Sequence, residues 1–109
     1  MRLCSIASGS SGNCIYTGSD STHLLVDAGI SAKKIEEGLR QIELEGKDIQ
    51  GLLITHEHSD HVKGAGILAR RYGMPIYGTA GTIAQMKAMS GLGTIDEELY
   101  HVVRADEAF

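Results

Sequence analysis

The sequence predicts a layered α/β domain, because short apolar runs of strand length alternate with segments of helical periodicity. Clusters of Gly, Ser, Asn and Asp separate these segments, as turn residues do. The chain has 109 residues, of which 42% are hydrophobic, so its length is near the common size of one domain. No internal repeat or low-complexity stretch is visible. We therefore expect a single unit over residues 1–109.

The chain begins with three predicted strands. Residues 3–7 form a short apolar run, residues 8–13 are turn residues, and residues 14–17 are a second strand, so the first two strands form a hairpin. After a second turn cluster, residues 23–27 form a nearly continuous apolar run that stops at Ala28-Gly29. Such a run is typical of a strand that is covered on both faces.

A helix and a fourth strand follow. Ser31 is a suitable N-cap, and the inner face of the helix uses Ile35, Leu39 and Ile42, whose spacing puts them on one stripe. The charged residues between them are expected to face water: Glu36, Glu37, Arg40 and Glu43. Residues 45–48 are then a loop, and residues 49–55 contain a buried strand at 52–54.

The second half of the chain continues the alternation. Residues 60–72 suit a helix that ends at Gly73, with two arginines in the favourable last turn. Its inward residues are Val62, Ala65, Leu68 and Ala69. Pro75 prevents the helix from continuing. Residues 76–77 are a brief strand, Thr79 or Thr82 caps a helix through about Met89, and residues 99–103 are the last strand.

Charge and targeting signals exclude several classes of protein. Ten basic against 14 acidic residues give a net charge of −4, which is no electrostatic footprint for nucleic acid. The first residues contain no signal peptide, and no apolar run has the length of a membrane span. Cys4 and Cys14 lack zinc-site spacing and are interpreted as buried, inert residues. We expect a soluble cytoplasmic protein without membrane association.

The chemistry is concentrated in the segment Thr-His-Glu-His-Ser-Asp-His at residues 55–61, directly after an apolar strand. Residues two apart in an extended chain point the same way, so His56 and His58 can bind one ion. Asp60 and His61 follow where the chain turns into a helix, and they suit a second ion beside the first. Position 60 is Asp, so this is not the helical zinc motif His-Glu-x-x-His.

This His56-x-His58-x-Asp60-His61 motif resembles the signature of the metallo-β-lactamase superfamily. Leu-Leu-Val-Asp-Ala-Gly at residues 24–29 is similar to a strand end of that family, whose Asp, here Asp27, supports the metal site. Plain capping of the following loop is the alternative role of Asp27. The resemblance implies an αββα sandwich of two similar halves, of which this chain is the N-terminal half.

The resemblance also implies a metal set and a mechanism. His56 and His58 would bind the first divalent ion, and Asp60 and His61 would bind the second. Asp60 would also orient the water that attacks the substrate. Zinc is favoured, with manganese and iron as alternatives, since nitrogen and oxygen ligands accept all three. The family's remaining ligands would come after Phe109, and His101 does not suit the third-histidine role, so the chain is expected to bind metal poorly by itself.

A closer resemblance concerns the substrate. Ser-Gly-Ser-Ser-Gly-Asn at residues 8–13 is similar to the opening of the YycJ/WalJ-like group, which implies an exonuclease-like hydrolase with DNA or RNA as substrate. The same loop could present backbone N–H groups to a phosphate or simply form the hairpin turn. It is not a P-loop, because no Gly-Lys-Ser/Thr follows.

The main hypothesis is thus a metal-dependent phosphodiester hydrolase. The alternatives are a catalytically incomplete metal-binding or interaction fragment, and a hydrolase of another ester, thioester or lactone. A secreted β-lactamase is disfavoured by the missing signal peptide. Since half of a sandwich would leave an apolar sheet face open, we also expect a homodimer through that face.

Overall fold

The computed structural model describes residues 2–7, 12–55, 64–89 and 95–103. They form a six-stranded sheet and three α-helices, with two short 3₁₀ turns at Gly46–Asp48 and Glu97–Leu99. The strands are β1 Arg2–Ala7, β2 Cys14–Gly18, β3 His23–Val26, β4 Gly51–Leu53, β5 Ile76–Gly78 and β6 Tyr100–Val102. The helices are α1 Ala32–Gln41, α2 Ala65–Tyr72 and α3 Ala80–Ala88. Within these ranges, no helix has the length and apolar character that crossing a membrane requires.

The order of the strands in the sheet is the order of the strands in the chain. Strands β1, β2 and β3 pair antiparallel, which confirms the predicted hairpin, and β3 to β6 pair parallel. Each helix connects two neighbouring parallel strands, and right-handed crossovers in one direction bring all such helices to the same face. The predicted layered α/β class is confirmed.

The core lies between this face of the sheet and the helices. Tyr16, Leu25, Leu52 and Ile76 occupy one row across neighbouring strands, and all four are fully buried. The helices contribute Ile35, Leu39, Leu68, Ala69, Ile83 and Met86 to the same cluster. Burying one Leu or Ile side chain stabilises a fold by about 1.5–3 kcal/mol, so this row contributes several kcal/mol together with the helix residues.

The opposite face of the sheet carries apolar side chains that are only half-buried. We call it the open face, and its residues are Ile15, Leu24, Val26, Leu53 and Tyr77. The prediction that β3 is covered on both faces is therefore wrong for the described part of the chain, since only Leu25 of its apolar residues is fully buried. No described helix packs on the open face, which is the physical reason.

The helix ends follow the predicted signals. The Ser31 hydroxyl accepts a hydrogen bond from the backbone N–H of Lys34, and Thr79, rather than Thr82, caps α3. Gly73 ends α2 in the left-handed conformation with φ 62°, as predicted. The described part of α2 begins at Ala65, and the predicted start at Asp60, with Val62, lies outside the described residues.

Four local predictions need correction. Strand β3 ends at Val26 rather than at residue 27, because Asp27 adopts φ 63° and leaves the extended conformation. The predicted loop at residues 45–48 contains a 3₁₀ turn whose backbone is capped by Asp48. Leu99 belongs to a 3₁₀ turn before β6. Cys14 is buried as expected, but Cys4, on the edge strand β1, is half-buried.

Glu36 also differs from the expectation that it faces water. One of its carboxylate oxygens, Oε1, accepts hydrogen bonds from the Tyr72 hydroxyl and from Arg71 Nη1, each at 2.6 Å. Glu37, Arg40 and Glu43 are exposed as predicted. The bonds join α1 to the last turn of α2, and the hydrogen bond from Tyr72 first, then Arg71, lowers the pKa of Glu36.

Replacing Glu36 should change how the free energy of unfolding depends on pH. A carboxyl group with a lowered folded pKa contributes stability that is present above its unfolded pKa, about 4.3, and is lost as the pH falls through the folded value. Glu36→Gln should therefore flatten the decline of the unfolding free energy below about pH 4.3, measured by urea titration across pH. The exposed Glu37→Gln is the control. If the unfolding free energy of Glu36→Gln fell with pH as steeply as that of the parent protein, this role of Glu36 would be contradicted.

Candidate functional site

The candidate site lies at the carboxyl edge of the parallel strands. Strands β3, β4 and β5 run in one direction, so the residues that follow them meet at a single edge, where ligands commonly bind in α/β sheets. Asp27 follows β3, and Thr55 lies two residues after the end of β4. The predicted ligands His56, His58, Asp60 and His61 lie outside the described residues, but the chain leaves this edge at Thr55 and is described again from Gly64.

Asp27 binds the residue that precedes residues 56–63, which we call the ligand-bearing segment because it contains the four predicted metal ligands. Its buried carboxylate accepts two hydrogen bonds from Thr55, from the backbone N–H to Oδ1 at 2.8 Å and from the hydroxyl to Oδ2 at 2.7 Å. The backbone N–H of Asp27 donates to the Leu53 carbonyl oxygen at 2.8 Å. The left-handed φ of 63° is one that Asp adopts more readily than most residues. Asp27 thus sets the position of the residue directly before His56.

The exit of the segment is held by the next residue, Ala28. Its carbonyl oxygen accepts a hydrogen bond from the backbone N–H of Gly64 at 2.7 Å. A Cβ on Gly64 would lie 2.6 Å from the carbonyl oxygen of Ile30 and 3.2 Å from the backbone nitrogen of Ala32. Only glycine fits this close approach. Residues 27–29, which we call the Asp-Ala-Gly segment, therefore bind the chain on both sides of residues 56–63.

The end of the Gly-Ser loop supports the Asp-Ala-Gly segment. The backbone N–H of Gly29 donates to the carbonyl oxygen of Asn13 at 2.7 Å. Gly12 has φ 130°, and a Cβ there would lie 2.3 Å from the carbonyl oxygen of Gly29. Gly12 and Asn13, the described end of the loop, thus lead into β2 and pack against the Asp-Ala-Gly segment. Residues 8–11 lie outside the described residues.

Cys14 lies fully buried next to this segment. Burial, and to a smaller extent the negative charge of Asp27, raise its pKa to about 12. A thiol with such a pKa stays protonated at neutral pH, so it acts neither as a nucleophile nor as a thiolate ligand. The inert role predicted for Cys14 agrees with this environment.

Two of the five histidines of the chain have roles elsewhere. His23 Nδ1 is 2.6 Å from the Tyr16 hydroxyl, and the ring of His101 stacks on Tyr77 with 5.0 Å between centroids. Within the described ranges, no three His, Cys, Asp or Glu side chains are grouped as a metal site would need. The predicted ligands are not among those residues, so the exclusion of His101 from the ligand role stays a prediction.

Sequence reasoning identified Asp27 but missed the residues that it and its neighbours hold. The sequence patterns place Thr55 at the start of the ligand motif, Gly12 in the Gly-Ser loop and Gly64 in the predicted helix, and assign no partner to any of them. A signal existed for Thr55, since a hydroxyl residue directly before a ligand motif is a candidate partner for a buried carboxylate. The close approaches at Gly12 and Gly64 depend on tertiary contacts, which no local pattern reveals.

Removing the Thr55 hydroxyl should weaken the fold at this edge. Thr55→Val takes a donor from the buried Oδ2 of Asp27, and a buried polar group that loses a partner costs about 1–3 kcal/mol. We expect the unfolding free energy, from urea titration, to fall by that amount. Thr55→Ser keeps the hydroxyl and should retain most of the stability. Equal stability of the two variants would contradict the assignment.

Comparisons with known proteins agree with this geometry. A family model described as the metallo-beta-lactamase superfamily matches residues 7–88. The chain is 50% identical over 86 residues to "Exodeoxyribonuclease YycJ" of Bacillus anthracis, covering 79% of the chain and 33% of that protein. It is 46% identical over 97 residues to "Exodeoxyribonuclease WalJ" of Streptococcus pneumoniae, covering 89% of the chain and 36% of that protein. The chain thus spans about a third of the length of these curated relatives.

A solved structure supports the fold. A B3 metallo-beta-lactamase with an active-site glutamic acid superimposes with a TM-score of 0.75 at 18% sequence identity, covering 91% of this chain and 42% of that one. Its fold therefore contains the sheet and helices described above. With the family model matching most of its length, the chain belongs to the metallo-beta-lactamase superfamily.

Proposed function

We propose that the protein is a metal-dependent hydrolase of phosphodiester bonds in nucleic acid, and that this chain supplies the N-terminal part of its catalytic domain. The observation that carries the proposal is the pair of attachments made by the Asp-Ala-Gly segment. Thr55 is bonded to Asp27 and Gly64 to Ala28, so the eight residues between them start and end at the carboxyl edge of the sheet. The substrate class rests on the names of the exodeoxyribonuclease relatives.

The donor set between these attachments fits divalent metal ions. Three imidazoles and two carboxylates, those of Glu57 and Asp60, fall within residues 56–61, and zinc, manganese and iron all accept such ligands. We assign His56 and His58 to one ion, and Asp60 and His61 to a second. Metal ions bound there would supply Lewis-acid activation of water and stabilise charge that develops on the phosphate.

The residues of this chain then have distinct tasks. Asp60 is proposed to orient the attacking water in addition to its ligand role. Asp27 is a positioning residue, because both of its carboxylate oxygens accept hydrogen bonds from Thr55. Groups that orient metal ligands by hydrogen bonding to them commonly change the metal affinity by about 10–100-fold. Asp27 is thus expected to influence metal binding through the backbone of residue 55.

A second candidate function is a metal-binding or interaction module without hydrolysis. The observation in its favour is that the chain corresponds to about a third of the relatives' length, since a metal centre often needs ligands from distant segments. The two functions differ in one property. The hydrolase turns over a phosphodiester with bound metal, and the module binds metal without turnover.

Metal content and hydrolysis should depend on His58. We expect the whole catalytic domain, of which this chain is the proposed N-terminal part, to bind close to two equivalents of zinc or manganese by elemental analysis and to hydrolyse a chromogenic phosphodiester and single-stranded DNA. His58→Ala should lower both the metal content and the rate. His101→Ala, which removes an exposed imidazole stacked on Tyr77, is the matched control and should leave both unchanged.

The possible results of this experiment distinguish the hydrolase from the binding module. Metal that binds without turnover of either substrate would favour the binding module over the hydrolase. Little metal in the parent protein, or the same metal content in His58→Ala, would contradict the ligand assignment itself.

We also propose that this chain, by itself, associates with a second copy through the open face. Ile15, Val26, Leu53 and Tyr77 are neighbours across four strands, and Leu24 extends the same apolar surface. Contiguous apolar surface of this kind usually marks a contact site. Two copies that pair these faces would remove the half-buried side chains from water.

The oligomeric state tests this interface. Light scattering over a concentration series should show a dimer for the chain, and Leu53→Lys should shift it to a monomer because the charge would be buried without a partner. Ile67→Lys places the same charge on α2, where Ile67 is 42% exposed, and should leave the dimer intact. A monomer at every concentration, or equal effects of the two substitutions, would exclude the interface.

A further inference from the structure

Gly64 occupies a position at the start of α2 that has no room for a side chain. A Cβ there would be 2.6 Å from the carbonyl oxygen of Ile30, 3.0 Å from Ile35 Cδ1 and 3.2 Å from the backbone nitrogen of Ala32. The φ of −91° and ψ of −5° at Gly64 are open to residues with a side chain. The need for glycine at this position therefore comes from the space around it and not from its backbone conformation.

The structure on both sides of this contact is held in place. On one side, Ile35 of α1 is fully buried, and the Ser31 hydroxyl caps the helix. On the other side, Leu68 and Ala69 of α2 are fully buried, and the backbone N–H of Leu68 donates to the carbonyl oxygen of Gly64 at 3.1 Å. A close-packed core leaves few voids into which either helix can shift. A side chain at residue 64 would therefore displace the chain mainly toward residue 63.

A displacement of this kind is large for a metal site. Relieving the contact with Ile30 requires residue 64 to move by roughly 0.5 Å. Metal–ligand distances in a well-formed site stay within about 0.2 Å of their ideal values. Two residues separate Gly64 from His61, and Asp60 comes directly before His61. The predicted ligands nearest to Gly64 along the chain are therefore the ones most exposed to such a movement.

We propose that Gly64 is a positioning residue for the second metal ion, the one assigned to Asp60 and His61. The inference rests on the proposed function and adds to it a residue that binds neither metal nor substrate. The missing side chain lets the backbone N–H of Gly64 come within 2.7 Å of the Ala28 carbonyl oxygen. This bond fixes the chain at a short distance in sequence from both ligands.

The ion assigned to His56 and His58 should depend much less on Gly64. Its ligands follow Thr55, which is held by the carboxylate of Asp27 instead of by a backbone carbonyl. The two ends of the ligand-bearing segment are thus attached through different groups. A change at Gly64 should separate the two ions, whereas a general loss of folding stability would weaken the binding of both.

The test compares Gly64→Ala with Gly38→Ala in the whole catalytic domain. Gly38 is a matched control, because a Cβ there would lie 2.6 Å from Ile6 Cγ2, and because it lies more than one turn further along α1 than Ala32. Zinc is titrated into the metal-free domain in competition with a chromogenic chelator, which gives a Kd for each ion. A parallel titration of His61→Ala identifies the step that belongs to the second ion.

We expect Gly64→Ala to raise the Kd of the second ion by about 10-fold or more, as the loss of groups that orient metal ligands does. The Kd of the first ion should stay at the parent's value, and Gly38→Ala should keep both Kd values. Urea titration of the metal-free variants measures any loss of folding stability separately. Gly64→Ala/Ile35→Val lacks the methyl group 3.0 Å from the new Cβ, so it is less crowded and should show the same separation of the ions if Gly64→Ala does not fold.

A second-ion Kd equal to the parent's in the folded variant would overturn the proposal. Equal weakening of both ions, or the same loss in Gly38→Ala, would overturn it as well, because Gly64 would then act only through stability. A parent domain that binds no second ion would overturn it through the ligand assignment.

The proposed function is judged separately, by hydrolysis in the parent domain. Hydrolysis with no effect of Gly64→Ala on the second ion leaves the function standing without the positioning role. A selective loss of the second ion in a domain that does not hydrolyse phosphodiesters supports the positioning role and contradicts the hydrolase.

Discussion

The buried carboxylate of Asp27 is the interaction on which the candidate site depends. It binds the N–H and the hydroxyl of Thr55, and the following two residues bind Gly64 and Asn13 through their backbones. Three separate pieces of chain are thereby joined at one edge of the sheet. A buried carboxylate is costly unless hydrogen bonds satisfy it, and the two bonds from Thr55 contribute to satisfying this one.

The same constraint connects the core to the site. Strands β3 and β4 are held together by the packing of Leu25 and Leu52, and Asp27 and Thr55 come directly after that packed region. Short, buried parallel strands therefore determine where the ligand-bearing segment begins. The helices cover one face of the sheet, and the carboxyl edge is the place where ligands commonly bind in sheets of this kind.

Much of this organisation could be predicted from local patterns. The hairpin, the Ser31 cap and the stop at Gly73 depend on residues close in sequence, and all three are confirmed. What could not be predicted depends on contacts between distant segments. Glu36 was expected to face water because its position on α1 is polar, but Tyr72 and Arg71 approach it from α2. The link between Asp27 and Thr55, 28 residues apart, is likewise tertiary.

The central claim is that residues 56–61, held between Thr55 and Gly64, bind the metal ions. Nitrogen-15 NMR of the imidazole side chains during zinc titration tests it most directly, because the five histidines serve as internal controls for one another. We expect three resonances, from His56, His58 and His61, to shift to metal-bound values while His23 and His101 keep theirs. A zinc-induced shift of His23 or His101 in place of these three, or no saturable shift at all, would contradict it.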